Sequence, residues 1–182
     1  MNKTKNYSIT KSGAVILEGG ANRGVFTAGA LDFLMEQEYY LPHVIGVPAG
    51  ACNALDYVSG QIGRTRDCMI VTEKKNRYIN RNIKEIVEKK GLLDMDMVFD
   101  RYPNEVFPFD FEAYFRSPQT CEMVVTNCET GRAEYLDDRT SRERLMAIGR
   151  ASSSMPIACP MVEIDGKPYL DGGIADSIPI IR

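Results

Sequence analysis

The sequence predicts an α/β fold with a mainly parallel central sheet flanked by helices. Two short apolar runs, "AVIL" (14–17) and "VIGV" (44–47), each lead into a glycine-containing turn and then a helical pattern. Continuous apolar runs of this length are typical of strands that are buried on both faces of a parallel sheet. The first helix is predicted from Gly24 to Gln37, and the second follows "VIGV". Strand, turn and helix therefore alternate in the order that builds a parallel sheet.

The later segments predict two hairpins and one further helix. The residues Glu129–Gly131 have the composition of a hairpin turn, and Asp165-Gly166 has that of a second. A helix is predicted after Ser141, which serves as its N-cap. Residues 66–90 are basic and predicted to be helical, whereas residues 99–118 are aromatic, contain prolines and are predicted to be mostly loop with short helices.

Composition limits the kind of protein. The chain has 182 residues, which favours one domain over residues 13–182 behind a loose segment over residues 1–12. A net charge of −3 gives no reason to expect a nucleic-acid partner. Five cysteines without a Cys-x-x-Cys pair favour a reducing, cytoplasmic compartment, and together with a single histidine they predict no metal site and no cofactor. No segment approaches the roughly 20 apolar residues of a membrane span.

Three glycine-containing motifs follow predicted strands. They are "EGGANRG" (18–24), "GVPAG" (46–50) and "DGG" (171–173). In this order, and with the segment "ASSSMPIACP" (151–160), they resemble the patatin-like phospholipase family, from about Ala14 to Pro179. Members of that family carry a glycine-rich loop, a Gly-x-Ser-x-Gly elbow and an Asp-Gly-Gly or Asp-Gly-Ala motif.

The resemblance implies a lipid acyl-ester hydrolase that uses a Ser–Asp dyad without histidine. It assigns the base to Asp171 and the nucleophile position to Pro48, between the elbow glycines Gly46 and Gly50. It assigns the oxyanion-hole loop to residues that match the glycine-rich motif, because glycines let backbone N–H groups approach a reacting carbonyl. These residues are Gly19, Gly20, Ala21, Arg23 and Gly24.

Two residues depart from the family pattern. Ala21 replaces a glycine, which keeps the N–H but disfavours positive φ. Pro48 replaces the serine, so that no acyl-enzyme can form at residue 48. Because proline holds φ near −65°, Pro48 is expected to relax the elbow. An alternative is that Pro48 simply occupies the first position of the helix, where proline is favoured.

Each motif also has a plainer interpretation. Asp171 could be only a turn residue, since Asp-Gly is a common turn dipeptide, and the glycine-rich loop could be only a strand-to-helix turn. A dinucleotide site would need an acidic residue at the end of the next strand, where this sequence has the elbow instead. Cys52 is expected to be buried by packing, and no base pairs with the serines at 152–154, so all of them are weak replacements for the missing nucleophile.

Three functional hypotheses therefore remain open. The first is a patatin-like hydrolase that is inactive because of Pro48, and the second is a non-catalytic lipid- or acyl-binding protein. The third is an otherwise active enzyme in which Pro48 is an engineered or erroneous change. The expected partner is a lipid or acyl ester. The basic stretch could contact a membrane surface or be a solvated helix face. The apolar end "IPIIR" predicts a chain that is cut short, or a sheet that lacks an edge and self-associates.

Overall fold

A computed structural model of the chain describes residue 9, residues 12–88 and residues 91–182. The segment over residues 1–12 that the sequence predicts to be loose therefore lies almost entirely outside the described residues. In the described ranges the strands form one six-stranded sheet. They are β1 (Ala14–Leu17), β2 (His43–Gly46), β3 (Thr120–Asn127), β4 (Ala133–Leu136), β5 (Val162–Ile164) and β6 (Lys167–Asp171).

The helices are mostly short and lie between these strands. The α-helices are α1 (Gly24–Glu36), α2 (Ala49–Ser59), α3 (Arg64–Met69), α4 (Ile83–Glu88), α5 (Phe111–Arg116) and α6 (Arg142–Ser152). A π-helix spans Met97–Val106, and 3₁₀ turns span Ala21–Arg23, Lys74–Asn76 and Gly172–Ile174. Ser141 caps α6, because its side chain accepts a hydrogen bond from the Arg144 N–H, as predicted.

The sheet combines a parallel half with an antiparallel half. Strands β1, β2 and β3 are parallel neighbours, whereas β4 and β6 pair antiparallel with β3, and β5 pairs antiparallel with β6. Strands β1, β2, β3 and β5 therefore run in one direction, against β4 and β6. The predicted α/β class, with a central sheet flanked by helices, is confirmed.

Both predicted hairpins are present. The β3–β4 turn is closed by Asn127, whose carbonyl oxygen accepts from the Gly131 N–H at 2.8 Å and whose side chain accepts from the Glu129 N–H at 2.8 Å. In the β5–β6 turn, Asp165 and Gly166 have φ values of 53° and 76°. Two successive positive φ values are the hallmark of the tight two-residue hairpin turn that an Asp-Gly pair favours.

The larger core lies on one face of the sheet, where α1, α2, α5 and α6 contribute buried side chains. Alternation along β3 sends Cys121, Met123 and Val125 into this core, and Val124 into a small cluster with Ile45 on the opposite face.

The prediction that residues 66–90 are helical is wrong for the middle of this segment. The Asn80 N–H donates to the Leu92 carbonyl at 2.9 Å, and the Asp94 N–H donates to the Tyr78 carbonyl at 2.7 Å. Because these backbone groups pair across the fold, the chain around Tyr78–Asn80 is extended, and only α3, a 3₁₀ turn and α4 form on either side.

Candidate active site

Close backbone contacts shape the turn between β2 and α2. Gly50 lies against β1, and a Cβ on Gly50 would come within 1.9 Å of the Leu17 carbonyl oxygen. A Cβ on Gly46 would come within 2.5 Å of the Ala51 Cα. The Val47 N–H donates to the Leu17 carbonyl at 3.0 Å. Larger residues at the two elbow glycines would therefore push the helix away from the sheet.

Pro48 stands at the centre of this turn, immediately before the first residue of α2. Its φ is 5° and its ψ is −88°, so φ lies about 70° from the value that the proline ring prefers. The expectation that Pro48 relaxes the elbow is therefore wrong, and so is the alternative that it is the first helical residue. Its carbonyl accepts from the Ala51 N–H at 2.9 Å. The packing of the flanking glycines, and not the preference of residue 48, sets the conformation.

The glycine-rich loop joins β1 to α1 and lies beside the elbow. A Cβ on Gly19 would lie 3.5 Å from the Pro48 Cδ. Gly20 has a φ of 146° and Ala21 a φ of 48°, so Ala21 adopts the left-handed conformation that alanine disfavours. The Arg23 N–H closes the loop by donating to the Gly20 carbonyl at 3.0 Å. The loop is thus adjacent to residue 48, and its assignment as an oxyanion hole stays a prediction.

Gly24, the last glycine of the motif, has a packing role. A Cβ on Gly24 would lie 3.0 Å from the Cβ of Ala49, so glycine lets α1 approach α2 closely. The Asn53 Nδ2 ties the two helices together by donating to the carbonyls of Gly24 at 3.2 Å and Ala49 at 2.9 Å. The loop and the elbow are therefore held together by their helices.

Asp171 ends β6 and is buried, with 9% of its surface exposed. Its Oδ1 accepts from the Gly173 N–H at 2.7 Å, and its own N–H donates to the Ser154 carbonyl at 2.9 Å. Thr126 Oγ1 donates to the Asp171 carbonyl at 2.7 Å. Burial raises the pKa of the Asp171 carboxyl above its ordinary value, and the Gly173 N–H opposes that shift. A raised pKa makes an ionised aspartate a stronger base.

The sheet register brings the elbow and Asp171 together. Gly46 at the end of β2 pairs with Met123, and Asp171 at the end of β6 pairs with Val125. Strand β4 pairs with both Met123 and Val125. Because each residue of a strand has only two lateral neighbours, β2 and β6 must share the other edge of β3. The two strands therefore run toward each other, and their ends meet two residues apart along β3.

A large cavity extends from this meeting point into the protein. Its volume is about 640 Å³, and its lining includes Gly20, Ala21, Pro48 and Asp171. The remaining lining is mostly apolar and comes from α2, α3, the π-helix and the segments around them. Apolar lining residues include Leu55, Met69, Leu93, Met95, Val98, Phe99, Phe109, Met146 and Met155.

A second, more open recess is lined in part by the same residues. Its volume is about 350 Å³, and it shares Gly20, Arg23, Pro48 and Asp171 with the large cavity. Glu18 and Ser177 add polar side chains to its lining. Pro48 and Asp171 therefore stand at the junction of an apolar cavity and a partly polar recess.

Of the other candidate nucleophiles, Cys52, Ser152 and Ser154 are poorly suited to attack. Cys52 lines the large cavity one helical turn beyond Pro48, and burial raises the pKa of its thiol to about 11. The thiol is therefore protonated near neutral pH, whereas the thiolate is the reactive form. The Ser154 hydroxyl donates to the Arg150 carbonyl at 2.9 Å, and the Ser152 hydroxyl is buried. Ser153 lines the cavity.

The cavity wall between residues 95 and 103 was missed in the sequence. Met95, Val98, Phe99 and Tyr102 all line the cavity, and their spacing of i, i+3, i+4, i+7 is the pattern of an amphipathic helix. Pro103, which lies inside the π-helix, hid that signal by suggesting a loop. The helical spacing could have identified these residues.

The described residues offer neither a metal centre nor a membrane span. No group of three or more His, Cys, Asp or Glu side chains is placed to hold a metal ion there. Within the same ranges, no helix is both long enough and apolar enough to span a bilayer.

Two curated proteins are similar to this chain in sequence. The chain is 27% identical over 172 residues to the uncharacterized protein YjjU of Escherichia coli (strain K12), covering 92% of this chain and 47% of YjjU. It is 25% identical over 167 residues to the uncharacterized NTE family protein Mb1092c of Mycobacterium bovis, covering 92% and 44%. The chain thus spans less than half the length of these relatives.

A solved structure and a family model extend the comparison. The crystal structure of VipD from Legionella pneumophila superposes with a TM-score of 0.50 at 15% identity, covering 93% of this chain and 47% of VipD. At this identity the match concerns the fold. The model of the patatin-like phospholipase family matches residues 15–181, which include the glycine-rich loop, the elbow and Asp171. The chain therefore belongs to the patatin-like phospholipase family.

Proposed function

We propose that this chain binds acyl esters of lipids in the large cavity and lacks the serine-based hydrolysis that its family membership suggests. The observation that carries the proposal is the apolar cavity of about 640 Å³ that reaches Pro48 and Asp171. Ligand pockets typically have volumes of about 300–1,000 Å³ and a few polar groups among apolar walls. An acyl chain in this cavity would place its ester between residue 48 and Asp171.

The partly polar recess supports the same orientation of the ligand. An ester has an acyl side and an alcohol side, and the two spaces meet at Pro48 and Asp171. The alcohol or head group would occupy the recess, where Glu18, Arg23 and Ser177 offer polar contacts. The amides of Gly20 and Ala21 would then face the ester carbonyl as oxyanion donors.

Pro48 limits what the site can do chemically. Its side chain contains only carbon and hydrogen beyond the backbone, so no acyl-enzyme can form there. Asp171 could still accept a proton from a water molecule that attacks the ester directly. Enzymes that lose a nucleophile retain about 10³–10⁴-fold acceleration over water through binding and the oxyanion hole. Slow hydrolysis of this kind is the most that the proposal allows.

Exposed apolar side chains beside the site support peripheral contact with a lipid surface. Phe26 is 84% exposed and lies one turn beyond Arg23, and Ile157 is fully exposed beside Pro156. Arg23 and Pro156 both line the recess. Co-sedimentation with phosphatidylcholine vesicles, reduced by Phe26→Ser, would support membrane contact. A mass that rises with protein concentration and no co-sedimentation would indicate self-association instead.

The experiment that tests the function compares the chain with its Pro48→Ser variant. Each is incubated with an alkyl fluorophosphonate, and the intact mass is measured. We expect no mass gain for the chain itself and a gain of one probe for Pro48→Ser, because the flanking glycines already hold the elbow in place. Calorimetric titration of the unmodified chain with methyl decanoate should show binding with no more than slow release of decanoate.

The matched control adds Asp171→Asn to Pro48→Ser. Loss of a general base typically lowers rates by about 10²–10⁴-fold, so labelling should fall by that factor while methyl decanoate still binds. Labelling of the unmodified chain would contradict the proposal, since another nucleophile would be at work. Absence of ester binding in all three proteins would also contradict it.

A further inference from the structure

The wall of the large cavity contains a buried ion pair that the ester chemistry does not use. Arg64 Nη1 donates to Asp56 Oδ1 at 2.8 Å, and Thr65 Oγ1 donates to Asp56 Oδ2 at 2.5 Å. Asp56 is 3% exposed, and all three residues line the cavity. A buried ion pair is often no more stabilising than apolar residues of similar size. The wall around it is mostly apolar, so the ion pair is a candidate contact for a polar atom of a ligand.

Arg64 retains hydrogen-bonding capacity in this position. Its Nε donates to the Phe107 carbonyl at 2.9 Å, and its guanidinium lies over the ring of Phe109, 5.1 Å from the centroid. A guanidinium has five N–H donors. Within the described part of the chain, one of these bonds to Phe107 and one to Asp56. The other donors, on a side chain that lines the cavity, can serve an oxygen atom of a ligand.

The ion pair lies at a defined distance from Pro48, where the ester group would be bound. Pro48, Cys52 and Asp56 are four residues apart along α2, and all three line the cavity. At a rise of 1.5 Å per residue, Asp56 is roughly 12 Å along the helix from Pro48. An extended polypeptide advances by about 3.6 Å per residue, that is, per three backbone bonds. An extended acyl chain, at the same advance of about 1.2 Å per bond, is compared with this depth. That depth corresponds to about ten bonds of an acyl chain.

We propose that the cavity selects acyl chains of medium length that carry a hydroxyl or carbonyl oxygen about ten bonds from the ester carbonyl, and that Arg64 binds this oxygen. The inference rests on the proposed acyl-ester binding and names the class of ester. The oxygen accepts a hydrogen bond from the guanidinium, whereas a plain alkyl end that covers the guanidinium would leave its donors without an acceptor.

A neutral oxygen fits this position better than a second carboxylate. Asp56 already balances the charge of Arg64, and its carboxylate is only 2.8 Å from the guanidinium. A carboxylate at the end of the ligand would be repelled by Asp56 and would have to lose its hydration on entering the cavity. A hydroxyl or carbonyl accepts the same hydrogen bond without adding charge.

The test is calorimetric titration of the full chain with methyl decanoate and methyl ω-hydroxydecanoate. A hydrogen bond to a charged donor corresponds to about a tenfold change in affinity or more. We therefore expect the hydroxylated ester to bind about tenfold more tightly. Equal affinity, or tighter binding of methyl decanoate, would overturn the inference and leave the proposed function intact. Absence of binding by both esters would overturn the proposed function itself.

Variants assign the effect to the ion pair. The double variant Asp56→Leu/Arg64→Met removes both charges together, so that no buried charge is left unpaired. It should abolish the preference, because no guanidinium donor remains for the ligand oxygen. Arg66→Met is the matched control, since Arg66 lies on the same helix, is exposed and pairs with Asp67. It should keep the tenfold preference. A preference that survives in a folded double variant, as judged by its thermal unfolding, would overturn the role of Arg64.

Discussion

The ends of β2 and β6 reach the same edge of β3. At each end a glycine packs against a backbone carbonyl, but the side chains at the two ends differ chemically. Gly50 lies against the Leu17 carbonyl after β2, and Gly172 lies against the Val124 carbonyl after β6, where a Cβ would come within 2.1 Å. The end of β6 carries Asp171, the expected base, whereas the end of β2 carries Pro48. The shape of each strand end is therefore set by its glycines, whichever side chain stands beside them.

Removing one of these glycines should break the end of β2. A Cβ at Gly50 would overlap the Leu17 carbonyl at 1.9 Å, so Gly50→Ala must move α2 away from β1. We expect the free energy of unfolding, measured by urea titration, to fall by about 3 kcal/mol, which is typical of overpacking.

Gly29→Ala is the matched control for this measurement. Gly29 lies in α1, and a Cβ added there would meet no atom within 4 Å outside its own helix. Alanine is the better helix former, by about 1 kcal/mol, so this variant should be more stable than the parent. If Gly50→Ala unfolds at the same urea concentration as the parent, contact with β1 does not set the elbow.

The end of β6 can be tested through the pH dependence of stability. An asparagine side chain in place of Asp171 would still accept the hydrogen bond from the Gly173 N–H, so Asp171→Asn preserves the turn and removes only the charge. Because burial raises the pKa of Asp171 in the folded state, the folded protein binds this proton more tightly than the unfolded chain. The contribution of Asp171 to the free energy of unfolding is therefore most favourable at low pH, and it is lost as pH rises through the folded pKa.

Urea titrations of the two proteins at several pH values measure this difference. We expect Asp171→Asn to be more stable than the parent at pH 7 and the advantage to disappear below the ordinary pKa near 3.8. Such a result would show that the charged aspartate is unfavourable for folding, as expected for a group that is kept for chemistry. An asparagine variant that is less stable than the parent at pH 7 would favour the plainer interpretation of Asp171 as a turn residue.

The parts of this site that could be predicted from the sequence are those set by residues close together in the chain. The glycine-rich loop and the elbow follow short apolar strands, and the geometry of parallel strand ends brings these two together. Asp171 reaches them from the opposite direction, because β6 is antiparallel to β3. The conformation of Pro48 could not be predicted in this way, because the contacts of Gly46 and Gly50 with distant backbone override the preference of the proline ring. The extended chain at Tyr78–Asn80 could not be predicted for a similar reason, since it depends on long-range pairing with Leu92–Asp94.

The loop after β1 allows a further test of this comparison, with a smaller expected change in the free energy of unfolding. Ala21 has a φ of 48°, which is unfavourable for alanine by about 1–2 kcal/mol. A glycine at this position would relieve that strain. It would also lower the free energy of unfolding by about 0.4–1 kcal/mol, because it gives the unfolded chain more conformational freedom. Ala21→Gly should therefore raise the free energy of unfolding by about 0.5 kcal/mol. Ala30→Gly, at an exposed position of α1, should lower it by about 1 kcal/mol.

Opposite signs for these two alanine-to-glycine changes would show that the loop holds Ala21 in a conformation suited to glycine. The loop after β1 would then resemble the elbow after β2, since at each the surrounding fold imposes a backbone shape that its central residue disfavours. Equal losses in the two variants would contradict that view, because Ala21 would then behave as an ordinary helical residue. The site would in that case be shaped by its residues and not by the strands that lead into it.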